Sequence, residues 1–333
     1  MAPTATVSVV IPTYRRPECL EQAIASVLAQ EWSDWELTVR DDGGTPENRA
    51  VVESFGDRRI SHHPNAVRLG VGANKLAGWR AAQGKYFANL DDDDSWEPNF
   101  LSTLVPPLEA DPSLVIAFGS QTIVDEDGAV DEELTRVTEE NYRGALAPGP
   151  HWPIAEMMLV DHSVPVATGS LIRSSAIDWS CLPASENILV DYWLGYLIVK
   201  SGGGAFFHKG PLARYRVHGA SASATAGVEW HTSLAECYRQ IVADATLAPF
   251  APLFRERLLT AETRAARQQL AEGDMRAARA SSRRLLGLAL TPTTIGLAAA
   301  AHSGPLGRRA MSGRAEHFDT SLAHLRSSSP PPQ

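Results

Sequence analysis

Short apolar strands alternate with segments of helical periodicity through the first 90 residues of the 333-residue chain. The first apolar, β-branched run ends at Pro12, and a segment with helical spacing follows it. Successive strand–helix–strand units make right-handed crossovers, so this alternation predicts an α/β fold with a mixed, mostly parallel central sheet and helices on both faces. The predicted strands are Val7–Ile11, Trp35–Arg40, Ile60–His62 and Tyr86–Leu90, and the predicted helices are Pro17–Ala29, Pro46–Phe55 and Val71–Ala82.

Polar clusters follow three of the four predicted strands. Thr13–Arg16 follows the first strand, Asp41–Asp42 the second, and Asp91–Asp94 the fourth. Ligands of open α/β sheets bind outside the carboxyl ends of the strands. The sequence therefore predicts a ligand site at this edge of the sheet.

Four consecutive aspartates, Asp91–Asp94, are the most informative of these clusters. Adjacent carboxylates in a cleft repel one another unless a cation offsets their charge, and Mg²⁺ binds through one or two carboxylates together with substrate phosphate oxygens. The run therefore indicates a divalent cation and a phosphate-bearing substrate. The alternative is a solvated turn in which Asp94 or Ser95 caps the helix that Pro98 opens.

The pattern changes after residue 112. Val115–Val124 has the composition of a strand, a polar hairpin follows at Asp125–Gly128, and residues 131–165, with prolines at 148, 150, 153 and 165, are predicted to form irregular loops. The later sequence is predicted to be all-helical, with helices at Glu229–Leu247, Phe254–Ala271 and Met275–Leu290. The predicted domains are residues 1–225, a helical region at 226–305 and a flexible tail at 306–333.

Composition excludes some classes of function. The net charge of −9 and the pI of 5.6 argue against nucleic acid as a partner. Eleven arginines against four acids between Arg255 and Arg314 indicate either solvated helix faces or an anionic partner. Three widely spaced cysteines predict no disulfide framework and favour a cytoplasmic location. Residues 1–6 contain no basic stretch before an apolar core, and no apolar run reaches 18 residues. We therefore expect neither a secretion signal nor a membrane span, while peripheral membrane contact and a homodimer stay open.

Four segments, taken together and in this order, resemble a family 2 glycosyltransferase with the Rossmann-like GT-A fold. They are Val7–Tyr14, Arg40–Gly44, Gly70–Lys75 and Leu90–Asp94, and the resemblance covers roughly residues 7 to 222. It implies a nucleotide-sugar donor, Mg²⁺ or Mn²⁺ held by an Asp-x-Asp element, and transfer with inversion at the anomeric carbon. A UDP-sugar is the favoured donor, with dTDP- and GDP-sugars as alternatives, and the acceptor is a hydroxyl of unknown class.

The resemblance also implies a nucleotide site. Asp42 would accept a hydrogen bond from the base, while Pro12 and Tyr14 would flank it. Asn74 and Lys75, at the start of a helix, would touch the nucleotide. The alternatives are that Asp42 stabilises the turn at residues 43–44, that Tyr14 packs in the core, and that Lys75 is a surface residue.

The other residues that the resemblance implies would bind the cation or take part in the reaction. Asp92 would lie near the ribose and Asp93 on the metal, with Asp91 as the next candidate because four identical residues leave the register open by one. His218 would contact the metal or the diphosphate. Asp191 would be the base that takes the proton from the acceptor, and its alternative role is a helix N-cap.

Three further readings concern the acceptor and the class of protein. Trp152, Trp193 and residues 167–170 are candidates for the acceptor pocket, because sugar faces stack on aromatic rings. Without a Gln-x-x-Arg-Trp element, the sequence favours transfer of a single sugar over processive synthesis. The alternatives are a sugar-phosphate nucleotidyltransferase, which usually has a glycine-rich loop after the first strand, and a non-catalytic nucleotide-sugar-binding scaffold.

Overall fold

The computed structural model describes residues 5–182, 188–218 and 227–303. The chain divides into two compact units, residues 1–218 and residues 219–333. The predicted domain boundary at residue 225 and the predicted tail at 306–333 lie outside the described residues.

The predicted strands and helices before residue 90 all form, with ends that shift by about two residues at most. Further strands and helices follow as far as residue 216, with a short π-helical turn at Glu156–Val160. The strands are β1 Val7–Thr13, β2 Trp35–Asp41, β3 Ile60–Pro64, β4 Tyr86–Asn89, β5 Ser95–Trp96, β6 Leu114–Val124, β7 Gly149–His151, β8 Ser170–Arg173 and β9 Gly204–Arg216. The helices are α1 Pro17–Leu28, α2 Pro46–Ser54, α3 Val71–Ala81, α4 Phe100–Ala110, α5 Glu132–Arg143 and α6 Val190–Lys200.

One mixed sheet organises this unit. Its strand order is β3-β2-β1-β4-β8-β6-β9-β5, with β7 paired to β9. β1, β2, β3 and β4 are parallel to their neighbours within this group, and β6 is parallel to β9, whereas β8, β5 and β7 pair antiparallel. The order reverses between β1 and β4, which creates the crevice where doubly wound sheets bind ligands.

Helices cover both faces of the sheet and set the position of its carboxyl edge. On one face, Leu20 and Ile24 of α1 and Leu104 of α4 join the apolar core beneath β1 and β2. On the opposite face α3 lies so close to β1 that a Cβ atom at Gly78 would collide with Val10. The close approach of α3 carries the residues of its first turn to the edge where the polar clusters lie.

Helix α5 contradicts the prediction that residues 131–165 form irregular loops. Its N-terminus is capped by Asp131, whose carboxylate accepts a hydrogen bond from the N–H of Leu134. Arg136 pairs with Glu133 and Glu140 on the exposed face of the helix. Apart from Leu134, Val137 and Tyr142 the helix is polar, so the apolar signal on which the prediction depended is weak here.

The interpretation of Asp94 or Ser95 as a helix cap is also wrong. Helix α4 begins at Phe100, and the residue before it is Asn99. Ser95 starts β5, and the carboxylate of Asp94 accepts hydrogen bonds from the Thr168 hydroxyl and from the backbone N–H of Arg216.

The C-terminal unit is helical in the described residues. Pro292 lies at the start of the last described helix, whose N-cap is Thr291 with a capping box to Thr294. No helix in the described part of the chain is long and apolar enough to cross a membrane. The helices are α7 Gly227–Ala243, α8 Ala251–Glu272, α9 Met275–Leu288 and α10 Pro292–His302.

Candidate active site

The ends of β1 and β4 are linked directly at the crevice. Thr13, the last residue of β1, donates its hydroxyl to Asp92 Oδ2 at 2.7 Å. Arg16, in the turn after β1, contacts Asp92 at 3.4 Å and Asp93 at 2.6 Å. Neither Thr13 nor Arg16 was singled out as a site residue from the sequence, although both belong to the polar cluster predicted at this edge.

Asp93 and His218, the two predicted metal ligands, lie side by side. The distance from His218 Nε2 to Asp93 Oδ2 is 2.9 Å, and the two side chains are 14% and 17% exposed. Two hydrogen bonds from Arg216, one to the Asp94 carboxylate and one to the Asp93 carbonyl, fix the chain just before His218. Burial opposes ionisation of Asp93, but the hydrogen bond from His218 and the charge of Arg16 outweigh it and hold the pKa of this carboxyl below its usual value.

Negative charge is crowded around this pair. Burial and then the charge of Asp93 raise the pKa of Asp92 to about 7. Burial and the charges of Asp93 and Asp91 raise the pKa of Asp94 well above its usual value. Both shifts have the same two physical causes, which are burial of the carboxyl group and, after it, repulsion from the neighbouring carboxylates.

The donor set fits a divalent cation that a substrate completes. A carboxylate and an imidazole in contact supply one oxygen and one nitrogen ligand, and Mg²⁺ and Mn²⁺ accept such ligands together with phosphate oxygens and water. Within the described residues no group of three or more His, Cys, Asp or Glu side chains is arranged to hold a metal. The two side chains therefore suit a cation whose other ligands come from a diphosphate.

Lys75 has surroundings that the sequence did not suggest. Its ammonium group lies 2.9 Å from the carboxylate of Asp91 and 3.0 Å from that of Asp191, and its side chain is 5% exposed. Burial by itself would lower the pKa of Lys75, but the charges of Asp191 and Asp91 outweigh burial and raise it. The surface-residue alternative for Lys75 is thereby wrong, and its predicted nucleotide contact stays a prediction.

Asp42 is a structural acceptor as well as a candidate for base recognition. Its carboxylate accepts hydrogen bonds from the backbone N–H groups of Leu69 at 2.6 Å and Gly70 at 2.8 Å, and from the amide of Asn65 at 2.9 Å. Asn74, another predicted nucleotide residue, is buried and donates to the carbonyl of Arg40. Both side chains therefore hold the loop before α3 against the end of β2.

The turn after β2 is stabilised by a different residue from the one considered. Asp41 accepts hydrogen bonds from the N–H groups of Gly43 and Gly44, so the turn role suggested as an alternative for Asp42 belongs to Asp41. Tyr14 is half-buried, with the Arg68 guanidinium 4.4 Å from its ring centre. Pro12 is buried within β1.

A cavity of about 240 Å³ opens beside Asp191. Its wall is mostly apolar, with Met158, Val164 and Val166 among the lining residues, and Ala167 and Thr168 of the predicted acceptor segment also line it. The polar groups of the wall include the side chains of Asp191 and Gln121 and the ring of Tyr215.

The two predicted acceptor tryptophans do not line this cavity. Trp193 is 1% exposed and belongs to the core, which contradicts an acceptor-stacking role. Trp152 is half-exposed and packs against Gly204 of β9, where a Cβ atom would collide with the indole ring.

The fold and the site define an α/β protein of the doubly wound class with an acidic ligand crevice at its switch point. Residues 8–162 match the family model described as glycosyl transferase family 2. Over these residues, a little under half of the chain, the protein is similar to glycosyl transferase family 2, and the GT-A fold expected from the sequence is confirmed.

One curated relative and two solved structures illustrate the similarity. WfgD of Escherichia coli, a UDP-Glc:alpha-D-GlcNAc-diphosphoundecaprenol beta-1,3-glucosyltransferase, is 35% identical over 95 residues, which are 28% of this chain and 38% of WfgD. TarS 1-349 of S. aureus is 13% identical with a TM-score of 0.59 and covers 92% of this chain and 90% of its own. The mannosyltransferase PcManGT of Pyrobaculum calidifontis, in complex with GDP-Man and Mn2+, is 15% identical with a TM-score of 0.54. The match covers 98% of this chain and 89% of the PcManGT chain.

The matches to the curated relatives cover only part of those proteins. The chain spans about two fifths of the length of WfgD and of two other curated relatives that it matches. The structural neighbours are below 16% identity, so they bear on the fold alone.

Proposed function

We propose that this chain is a metal-dependent, inverting glycosyltransferase that moves one sugar from a nucleoside-diphosphate sugar to an acceptor hydroxyl. The observation that carries the proposal is the separation of two groups at one sheet edge. Asp93 and His218 are in contact at 2.9 Å, whereas Asp191 lies beside its own cavity and is linked to Asp91 of the aspartate run through Lys75. This arrangement offers one place for a diphosphate with its cation and another for a nucleophile.

Asp93 and His218 would hold the cation, and the excess carboxylate around them favours binding of positive charge. A bound Mg²⁺ or Mn²⁺ supplies Lewis-acid stabilisation of the charge that develops on the leaving diphosphate. Asp92, which accepts a hydrogen bond from Thr13 across the crevice, would contact the ribose. PcManGT, with GDP-Man and Mn2+, and TarS, in complex with UDP-GlcNAc, are neighbours of the same fold with such donors.

The base of the nucleotide would lie near Tyr14 and Asp42. Tyr14 offers an aromatic face at the end of β1, and Asp42 Oδ2 accepts one hydrogen bond in the described residues, from Gly70. A carboxylate oxygen has room for a second donor, such as the N–H of a uracil ring. This capacity suits the favoured donor, a UDP-sugar, and equally a dTDP-sugar, whose thymine ring carries the same N–H.

Asp191 would act as the general base. In the reaction the acceptor oxygen forms a bond to the anomeric carbon as the bond from that carbon to the diphosphate oxygen breaks, and the hydroxyl proton passes to the Asp191 carboxylate. The cavity beside Asp191 gives an acceptor a place to enter, and its apolar walls exclude water that would otherwise compete as nucleophile.

Turnover on a panel of UDP-, dTDP- and GDP-sugars, with Mn²⁺ and then with excess chelator, tests the proposal. We expect one donor class to release its nucleoside diphosphate in the presence of metal and to stop when the metal is removed. Binding without turnover would indicate a scaffold, and release of pyrophosphate from a nucleoside triphosphate and a sugar phosphate would indicate a nucleotidyltransferase. Either result overturns the proposal.

A further inference from the structure

Lys75 joins the two halves of the proposed site. It lies on α3, whereas Asp91 follows β4 and Asp191 is in the first turn of α6, 116 residues further along the chain. The described contacts of its ammonium group are with these two carboxylates, at 2.9 and 3.0 Å. A buried ammonium group requires such partners, because an unpaired charge in the interior is strongly unfavourable.

The contact with Asp191 engages one of its two carboxylate oxygens. Oδ2 accepts the hydrogen bond from Lys75, whereas Oδ1 is buried and has no hydrogen-bond partner among the described residues. Buried carboxylate oxygens are usually satisfied, so an unsatisfied one next to a cavity indicates a place for an incoming donor. The Asp191 side chain is 32% exposed and lines that cavity.

We propose that Lys75 is a positioning residue for Asp191, an inference that rests on the proposed function. By binding Oδ2, Lys75 fixes the plane of the carboxylate relative to the cavity. The nucleotide contact expected of Lys75 from the sequence stays a prediction, and the contact with Asp191 adds a role at the proposed general base.

Asp91, the second carboxylate partner of Lys75, keeps the ammonium group paired after Asp191 has been protonated. When Asp191 takes the proton of the acceptor, it becomes neutral, and Lys75 would be left as a buried cation if it had no other partner. Asp91 remains as that partner at 2.9 Å. Asp91 in turn is held by the amide of Asn89 at 2.8 Å, and Asn89 is held by the indole of Trp79 on α3.

A purely structural role for Lys75 predicts different behaviour. If the ion pair only fastened α3 to α6, its removal would lower stability and would change donor binding and turnover together. A positioning residue affects the rate constant of the reacting complex, because a misplaced catalytic group costs about 10²-fold in rate. Comparing the change in kcat with the change in the donor Kd on substitution of Lys75 therefore separates the two roles.

The test compares Lys75→Ala and Lys75→Met with the wild-type chain and with Lys85→Ala. Lys85 is an exposed lysine of the same unit that pairs with Glu109, so it controls for loss of a lysine outside the site. We expect both Lys75 variants to lower kcat about 10²-fold with little change in the nucleotide Kd measured by calorimetry. Ethylammonium or propylammonium should restore part of the lost rate in Lys75→Ala and none in Lys75→Met, whose side chain fills the space.

A double variant makes the result specific to Asp191. Adding Lys75→Ala to Asp191→Asn should have little further effect on kcat, because residues that act as one unit are not additive. Full kcat with a weakened nucleotide Kd would overturn the inference and return Lys75 to the nucleotide site, leaving the proposed function intact. A wild-type chain that turns over no donor would overturn both.

Discussion

Buried carboxylates occur in both units, and their surroundings are opposite. Glu262 of the helical unit is 1% exposed and is bound by two arginines, Arg239 at 2.6 Å and Arg284 at 2.6 Å. At the sheet edge of the other unit, Asp92 and Asp93 share Arg16, Asp91 and Asp191 share Lys75, and Asp94 is bound by the Thr168 hydroxyl and the Arg216 backbone N–H. The helical unit balances its buried charge, whereas the sheet edge does not.

The difference separates a structural ion pair from a binding site. A carboxylate with two guanidinium partners has its charge and its lone pairs satisfied, so it gains nothing from another ligand. Carboxylates in excess raise one another's pKa, as at Asp92, and favour any cation that enters. The location of uncompensated charge is therefore a better guide to function here than the number of acidic residues.

The largest effect should come from Asp93→Asn, which removes charge at the centre of the uncompensated cluster. It leaves Arg16 and His218 in place but deletes the carboxylate that both contact. We expect kcat/KM for the preferred donor with Mn²⁺ to fall by about 10³-fold, since metal stabilisation of a leaving group is worth several kcal/mol.

Asp57→Asn is the matched control for that variant. Asp57 lies in the same unit and pairs with Arg59 away from the crevice. Its substitution should leave kcat/KM within about twofold of wild type, as expected for a surface change. An Asp93→Asn protein that keeps the rate of the control would contradict the assignment of the cluster.

The next largest effect should come from ligand addition, which should stabilise the sheet unit but not the helical unit. Mn²⁺ with UDP at about 100 times the Kd should stabilise the sheet unit by about 2.7 kcal/mol, and excess chelator should reverse this. Hydrogen exchange read by mass spectrometry assigns the effect to peptides. Protection is expected in β4 and in the segment before His218, and equal protection of α8 and α9 would contradict a site confined to the sheet edge.

Glu262→Gln tests the helical unit, where two arginines balance the charge of the buried carboxylate. It leaves two arginines facing a neutral amide, and because both arginines are half-exposed we expect a loss of about 1–3 kcal/mol in the free energy of unfolding, measured in urea. The activity of the folded protein should not change. A stabilising substitution, or a selective loss of activity, would show that Glu262 is not simply structural.

The smallest effect concerns pH and His231 of α7. Burial, and then the charge of Arg264, lower the pKa of this imidazole below its usual value. Folding therefore favours neutral His231, and its contribution to stability is present above the unfolded pKa of about 6.5 and is lost as pH falls. Between pH 7.5 and pH 5.5 the urea midpoint of the wild type should fall more than that of His231→Asn. Equal falls would contradict this.

The sequence predicted the strands and the acidic edge because those features depend on local patterns. The apolar runs of β1, β2 and β4 end in polar clusters, and parallel strands bring those ends together. Helix α10 was not among the predicted helices, although proline is favourable in the first helical turn and Thr291 and Thr294 form a capping box there. The contact of Lys75 with Asp191 depends on how α3 packs near α6, which no local pattern encodes.

Several predictions stand without a test. Every assigned site role, from Asp42 to His218, depends on a bound donor or on chemistry. The cytoplasmic location, the homodimer and the peripheral membrane contact likewise stay predictions. These properties depend on other molecules as well as on this chain.

Strand β9 has a consequence for how a ligand is received. Asp93 and His218 are 125 residues apart in sequence, yet Arg216 ties the chain before His218 to the backbone of Asp93 and to the carboxylate of Asp94. The entropy of closing that long loop is therefore lost when β9 pairs with β6 during folding, and not when a ligand arrives. A small ion can then bind a receptor that is already assembled, and its affinity is not reduced by the ordering of the polypeptide.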